Sequence, residues 1–154
     1  MRFRSRDRGK PVNAERSYVF NETRQCFLSL NVSVADTHFS RLRGLLGRMK
    51  MSRDDGLWVM PSRSIHTIGI RFPIDVVYLD ARNRVIHLIE HFRPFRIAPI
   101  RMHAKSVLEL PTRTIYASGT RIGDSLLICA PEEMDNLWNR LDRGPTRGGR
   151  AAAG

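Results

Sequence analysis

Two cysteines and three lysines are all that this 154-residue chain contains of either type, and it has no long apolar run. Two thiols, Cys26 and Cys129, cannot build a disulfide framework or a cysteine-based metal site. Lying among apolar residues at the two ends of the domain, they are read as buried free cysteines. No stretch approaches the roughly 20 apolar residues that cross a bilayer, so no transmembrane segment is expected. The basic N-terminus is not followed by the apolar core of about 7 to 15 residues that marks a secretory signal. The expectation is a cytoplasmic protein.

Several catalytic signatures are missing as well. There is no Gly-x-Ser-x-Gly elbow, no phosphate loop ending in Gly-Lys-Ser/Thr and no His-Glu-x-x-His helix. Histidines stand at positions 38, 66, 87, 91 and 103. His87 and His91 are spaced for a shared helix face, but their segment reads as a strand, where that spacing separates them by about 13 Å. No metal site and no cofactor are expected.

What the chain has in excess is arginine, giving a formal net charge of +11. The charge is uneven. Residues 1–16 carry six basic side chains against two acidic ones, and residues 143–154 add Arg143, Arg147 and Arg150. Both ends are too poor in large apolar residues to offset the entropy of ordering, and are read as disordered basic tails around one β-rich domain at 17–142. Weak contact with nucleic acid or an anionic membrane through these tails follows from charge alone.

Within the domain the apolar period is mostly two. Cys26, Leu28, Leu30, Val32 and Val34 alternate with polar residues as in a half-buried strand. "SYVF" is its partner across the turn "NETR". Leu57 to Met60, ended by Pro61, reads as a further strand, as do Ile65 to Ile70 and Asp75 to Leu79, separated at Pro73, which cannot donate to a ladder. "DARNR" is a hairpin turn to the strand "VIHLIEHF", "RPFRIAPIRMHA" is a long surface loop, and "KSVLEL" and "RIGDSLLI" supply the last strands. Thr112 or Thr114 can cap a short helical turn ending near Gly119.

Two segments change period. "ADTHFSRLRGLLGRMKM" places Phe39, Leu42 and Leu46 at helical spacing behind a cap at Asp36 or Thr37, and Gly47 can end that helix. "PEEMDNLWNRLDRG" starts with Pro131 and acidic residues, and sets Met134, Leu137, Trp138 and Leu141 on one stripe expected to dock on the domain. The sum is a mainly β fold: a small antiparallel β barrel or sandwich with one or two short helices and a C-terminal amphipathic helix.

The candidate polar cluster is Arg43, His66, Arg71, Asp75 and Glu109. His66 beside a carboxylate suits general-base work, its ordinary pKa lying near neutrality. Arg43 has the planar fork that grips a carboxylate, either Asp75 or Glu109. The alternative is that Asp75 accepts structural hydrogen bonds at the Pro73 bend.

Taken together, "VADTHFSRLRGLLGR", "GLWVMPSRSIHTIGIRFPIDVVYLD", "SVLELP" and "GTRIGDSL" resemble the domain of unknown function 192 family of small bacterial and archaeal proteins, over about residues 28–128. The resemblance carries onto Arg43-Gly44-Leu45, Pro73-Ile74-Asp75, Glu109-Leu110-Pro111 and Gly123-Asp124. Many relatives have Trp-Met-Lys-Asn where this chain has His66 to Gly69, while a subset shares the His-Thr form. It implies a compact β-rich fold and brings no established activity. The expected function is a binding module for a small polar ligand or a partner segment, with a hydrolase-like enzyme using the His66/Asp75 pair as the alternative.

Overall fold

The computed structural model describes residues 16–35 and 49–142. The tails, apart from Arg16, and the expected helix after Asp36, with Arg43, lie outside the described residues. Among the described residues seven strands and two helices follow in order: β1 (Ser17–Asn21), β2 (Cys26–Ala35), β3 (Asp55–Val59), β4 (Ile74–Leu79), β5 (Val85–Phe92), β6 (Ser106–Pro111), α1 (Thr114–Ser118), β7 (Leu126–Cys129) and α2 (Pro131–Asp142). They form one curled sheet in the order β5-β4-β6-β3-β2-β1-β7. The mainly β expectation is met, with one difference in detail. β2 and β3 run parallel, while every other neighbouring pair is antiparallel. A parallel pair cannot be joined by a tight turn and needs a crossover of a dozen or more residues. Residues 36–54 are that crossover.

The outer strands meet at one end. Arg84 and Ser125 form an isolated bridge. Around it, the Val85 amide donates to the Asp124 carbonyl (2.9 Å) and the Leu126 amide to the Asn83 carbonyl (3.0 Å). The sheet is thereby pinched into a half-barrel. Central strands β4 and β6 are covered on both faces, which is why "VVYL" of β4 reads as a continuous apolar run. Ile74, Val76, Tyr78 and Val107 belong to one apolar cluster, covered by Ile65, Ile70, Phe72 and Ala98 from the flanking loops. Val77, Leu79, Leu108 and Leu110 face the other cluster, inside the curl, with Val19, Val32, Ile115 and Leu126.

Three readings of the sequence need correction. Residues 65–70 are not a strand: apart from the single bridge of His66 with Ile97, the segment is irregular, and a left-handed Gly69 (φ 87°) turns it. Its backbone is instead held by the 93–98 loop. β2 does not keep one apolar face. Two register shifts against β1 insert extra residues in β2, and each one-residue slip moves the following side chains to the other face. Leu28 and Val32 are buried, whereas Leu30 and Val34 stand exposed. On α2, Met134 is buried against Phe20 and Cys129 with Leu137 packed beside it, but Trp138 is 54% exposed; of Leu141 only the backbone is described.

Candidate functional site

Asp75 is a polar side chain of the expected cluster anchored by two backbone amides. It is fully buried, and it lies opposite a bulge in β5: Ile74 pairs with Phe92 and Val76 with Ile89, so Glu90 and His91 together face Asp75. A bulge takes a backbone donor out of the ladder. Asp75 Oδ1 accepts that donor, the His91 N–H, at 3.0 Å, and His91 is held at φ 52°. Its second oxygen, Oδ2, accepts the Ile115 N–H at 2.9 Å. The N-cap of α1 is Arg113, which is left-handed (φ 73°) and offers no side-chain cap. The expected capping threonines do not cap it: the Thr114 hydroxyl donates back to the Pro111 carbonyl. A carboxylate from β4 replaces them, satisfying one of the donors that a helix start leaves open.

Of the other candidates, Glu109, His66 and Arg71 lie among the described residues. Asp75 pairs with Leu110, and its neighbour Val76 with Glu109. Cross-strand partners share a sheet face and successive residues alternate, so Asp75 and Glu109 point to opposite faces. Glu109 is 5% exposed. His66 and Arg71 are exposed. No hydrogen bond joins His66 to Asp75 among the described residues, and each Asp75 oxygen accepts a backbone amide. His66 faces outward and its neighbour Thr67 turns inward, fully buried. Its hydroxyl donates to the Arg93 carbonyl (2.7 Å) and accepts the Arg96 N–H (3.0 Å).

Asp124, the third carboxylate of the matched motifs, is also buried. It accepts Arg24 Nε (3.0 Å), Asn21 Nδ2 (3.0 Å) and the Arg121 amide (2.9 Å), next to the point where the sheet closes. Burial alone would raise its pKa, but the hydrogen bonds from Arg24, Asn21 and Arg121 outweigh it and hold the carboxyl below its ordinary value. The Gly-Asp turn was the sequence signal for this position; Asn21 and Arg24, about 100 residues away, carried none.

The structure supplies a recess that sequence reading missed. A groove of about 670 Å³ opens between β2, residues 50–54, the Phe72-Pro73 bend and the segment from Pro111 to Ser118. Phe27, Leu28, Leu30 and Phe72 give it apolar walls, and Lys50, Arg53, Asp54 and Arg113 supply its charge. Three cations against one carboxylate make it electropositive. Asp75 is absent from this lining but holds its far wall from behind, through Ile115. Cys26 lines the groove as a free thiol, raised in pKa by burial and by the Asp124 carboxylate. Among the described residues no three His, Cys, Asp or Glu side chains converge as metal ligands.

Comparisons with known proteins give the family and the fold. Residues 19–128 match the DUF192 family, described as "Uncharacterized ACR". A UPF0127 protein of Thermococcus sibiricus is 30% identical over 113 residues, covering 70% of this chain and 72% of its own. A UPF0127 protein of Pyrococcus furiosus is 28% identical over 128 residues, covering 80% and 99%. Two crystal structures share the fold. One, a Sinorhizobium meliloti protein proposed to regulate transcription, has a TM-score of 0.64 at 22% identity over 74% of this chain and 92% of its own. The other, a Novosphingobium aromaticivorans protein of unknown function, has a TM-score of 0.63 at 17% identity over 77% and 89%. With a family match over most of its length and an archaeal relative at that identity, the chain belongs to the DUF192 family.

Proposed function

We propose that this protein is a binding module and that its site is the groove between β2 and α1, which takes a small ligand or a partner segment bearing an anionic group on an apolar body. The observation that carries this reading is the wall at Arg113. A non-glycine residue at φ 73° costs on the order of 1 kcal/mol or more and persists only where its surroundings impose it. Here Asp75 imposes it from behind through the Ile115 amide, and the result presents Thr112 and Arg113 to the groove. Such stored strain concentrates at binding sites, and apolar walls with a few placed charges are the usual composition of a ligand recess. Arginine supplies a planar donor fork for carboxylate or phosphate.

The test is an amide chemical-shift titration of the full chain with inorganic phosphate, citrate and a short peptide with a free C-terminal carboxylate. Shifts gathered on Lys50, Arg53, Thr112, Arg113 and Ala117, and weakened by Arg113→Ala, are the expected result. The reading is overturned if all three probes leave those amides unmoved, or move amides on the opposite side of the sheet instead.

A further inference from the structure

A second surface, whose exposed residues lie outside the lining of the groove, is built on the loops that cover the Ile74, Val76 and Tyr78 face of the sheet. The loops 61–73 and 93–105 are stitched to each other by backbone hydrogen bonds: Thr67 N–H to the Arg96 carbonyl (2.8 Å), Phe95 N–H to the Thr67 carbonyl (3.0 Å), Ala98 N–H to the Ile65 carbonyl (2.8 Å) and Arg101 N–H to the Arg63 carbonyl (2.9 Å). The Ser64 hydroxyl adds a bond to the Ala98 carbonyl (2.6 Å), and the Tyr78 hydroxyl one to the Pro99 carbonyl (2.9 Å). These loops are therefore a fixed platform.

The platform buries Ile65, Ile70, Phe72, Ala98 and Ala104 against the core and leaves a second apolar set outside. Ile97 is 74% exposed, Ile100 67%, Met102 66% and Phe95 65%, with Ile68 beside them in the paired loop. A single exposed isoleucine is ordinary; four large apolar residues within eight positions of one held loop are not. Between and around them stand exposed Arg63, Arg71, Arg93, Arg96 and Lys105. Neither Gly56 to Ile74 nor His91 to Leu108 contains a single Asp or Glu. The two loops are thus basic with no acidic residue of their own, in a chain that has 15 acidic residues elsewhere.

We propose that this platform docks on the surface of a bilayer containing anionic phospholipid. Guanidinium and ammonium groups would meet the lipid phosphates, and the isoleucine, methionine and phenylalanine tips would enter the boundary between headgroups and acyl chains. Charge complementarity selects the anionic surface. The aliphatic character of the tips favours lipid over a nucleic acid, whose single strands call for aromatic stacking platforms that Phe95 alone does not make. No helix among the described residues is long and apolar enough to cross a membrane, and the attachment proposed is peripheral.

Sedimentation of the full chain with phosphatidylcholine vesicles, with and without phosphatidylglycerol, tests the proposal. Binding is expected to the anionic vesicles, to weaken as salt is raised, and to be slight on phosphatidylcholine alone. The variant Ile97→Ser/Ile100→Ser keeps every charge, tails included, and is expected to partition at least tenfold more weakly; Ile122→Ser, exposed elsewhere, is expected to match wild type. Failure of the wild type to bind anionic vesicles overturns the proposal. So does undiminished binding by the double variant, which would assign the contact to charge alone. A third overturning result is tighter binding to a duplex oligonucleotide than to the vesicles, unaffected by the double substitution.

Discussion

Asp75 and Ile115, forty positions apart, are joined by a 2.9 Å hydrogen bond from the backbone amide of one to the buried carboxylate of the other. With the His91 bond on its second oxygen, this side chain connects a bulge in β5 to the first turn of α1. Asp75→Asn keeps the shape but turns one acceptor into a donor facing a backbone N–H. A loss of about 2–3 kcal/mol is expected, since a buried amide is left without an acceptor. Urea unfolding at neutral pH checks it, and a variant as stable as wild type would contradict the role.

Asp124 makes an acid-limb prediction. Held below its ordinary pKa in the folded chain, it binds fewer protons there than when unfolded. Its stabilisation is present above the unfolded carboxylate value of about 3.9 and is lost as pH falls through the lower, folded value. Asp124→Asn should cost about 2–3 kcal/mol at neutral pH and flatten the decline in stability at acid pH. Parallel unfolding curves for variant and wild type down the acid limb would refute it.

His87 titrates in the opposite sense to a histidine paired with an acid. Arg101 Nη2 lies 2.9 Å from its Nε2, and because arginine only donates, Nε2 must accept, leaving the proton on Nδ1. Burial first, and the Arg101 charge second, lower its pKa. The folded chain thus takes up this proton less readily than the unfolded chain, whose value is about 6.5, and stability declines as pH drops from there toward the folded value. An NMR titration should give a midpoint below 6.5, and His87→Gln should remove that part of the pH dependence. A midpoint at or above 6.5 would exclude the contact.

Gly56 tests the packing between β2 and β6. A Cβ built there would sit 2.8 Å from Val32 Cγ2 and 3.1 Å from Ser29 Oγ, closer than packed atoms tolerate. Gly56→Ala should cost about 1–3 kcal/mol through overpacking, read as a lower melting temperature; an unchanged or raised one would show that β2 can yield.

Much of the sheet was legible because period-two alternation and proline or Gly-Asp punctuation are local signals. β5, β6, the break at Pro73 and α2 all follow from residues within a few positions of one another. What could not be read was what depends on partners far along the chain. The bulges of β2 and β5 are set by register against another strand, so Leu30 and Val34 carry the pattern of a buried face and lie outside. Residues 65–70 have strand-like composition, but their hydrogen bonds go to a loop about 30 residues later.

The site was legible in part for the same reason. The sequence singled out Asp75 and offered a structural role at the Pro73 bend, yet the groove it supports is assembled from four separated segments. Glu109 looked like its companion because a linear chain shows spacing and conceals which side of a sheet a residue takes. Thr67 carries no local signal of its role, because its hydroxyl bonds to Arg93 and Arg96 of a loop far along the chain.

The union of Asn83–Val85 with Gly123–Leu126 bears on solubility during folding and storage. An open sheet offers rows of unpaired amides and carbonyls at both flanks, on which a neighbouring molecule can add its own strand. Here the beginnings of β5 and β7 spend part of those groups on each other. Intermolecular strand addition is thus confined to whatever length of the two flanks lies beyond the pinch.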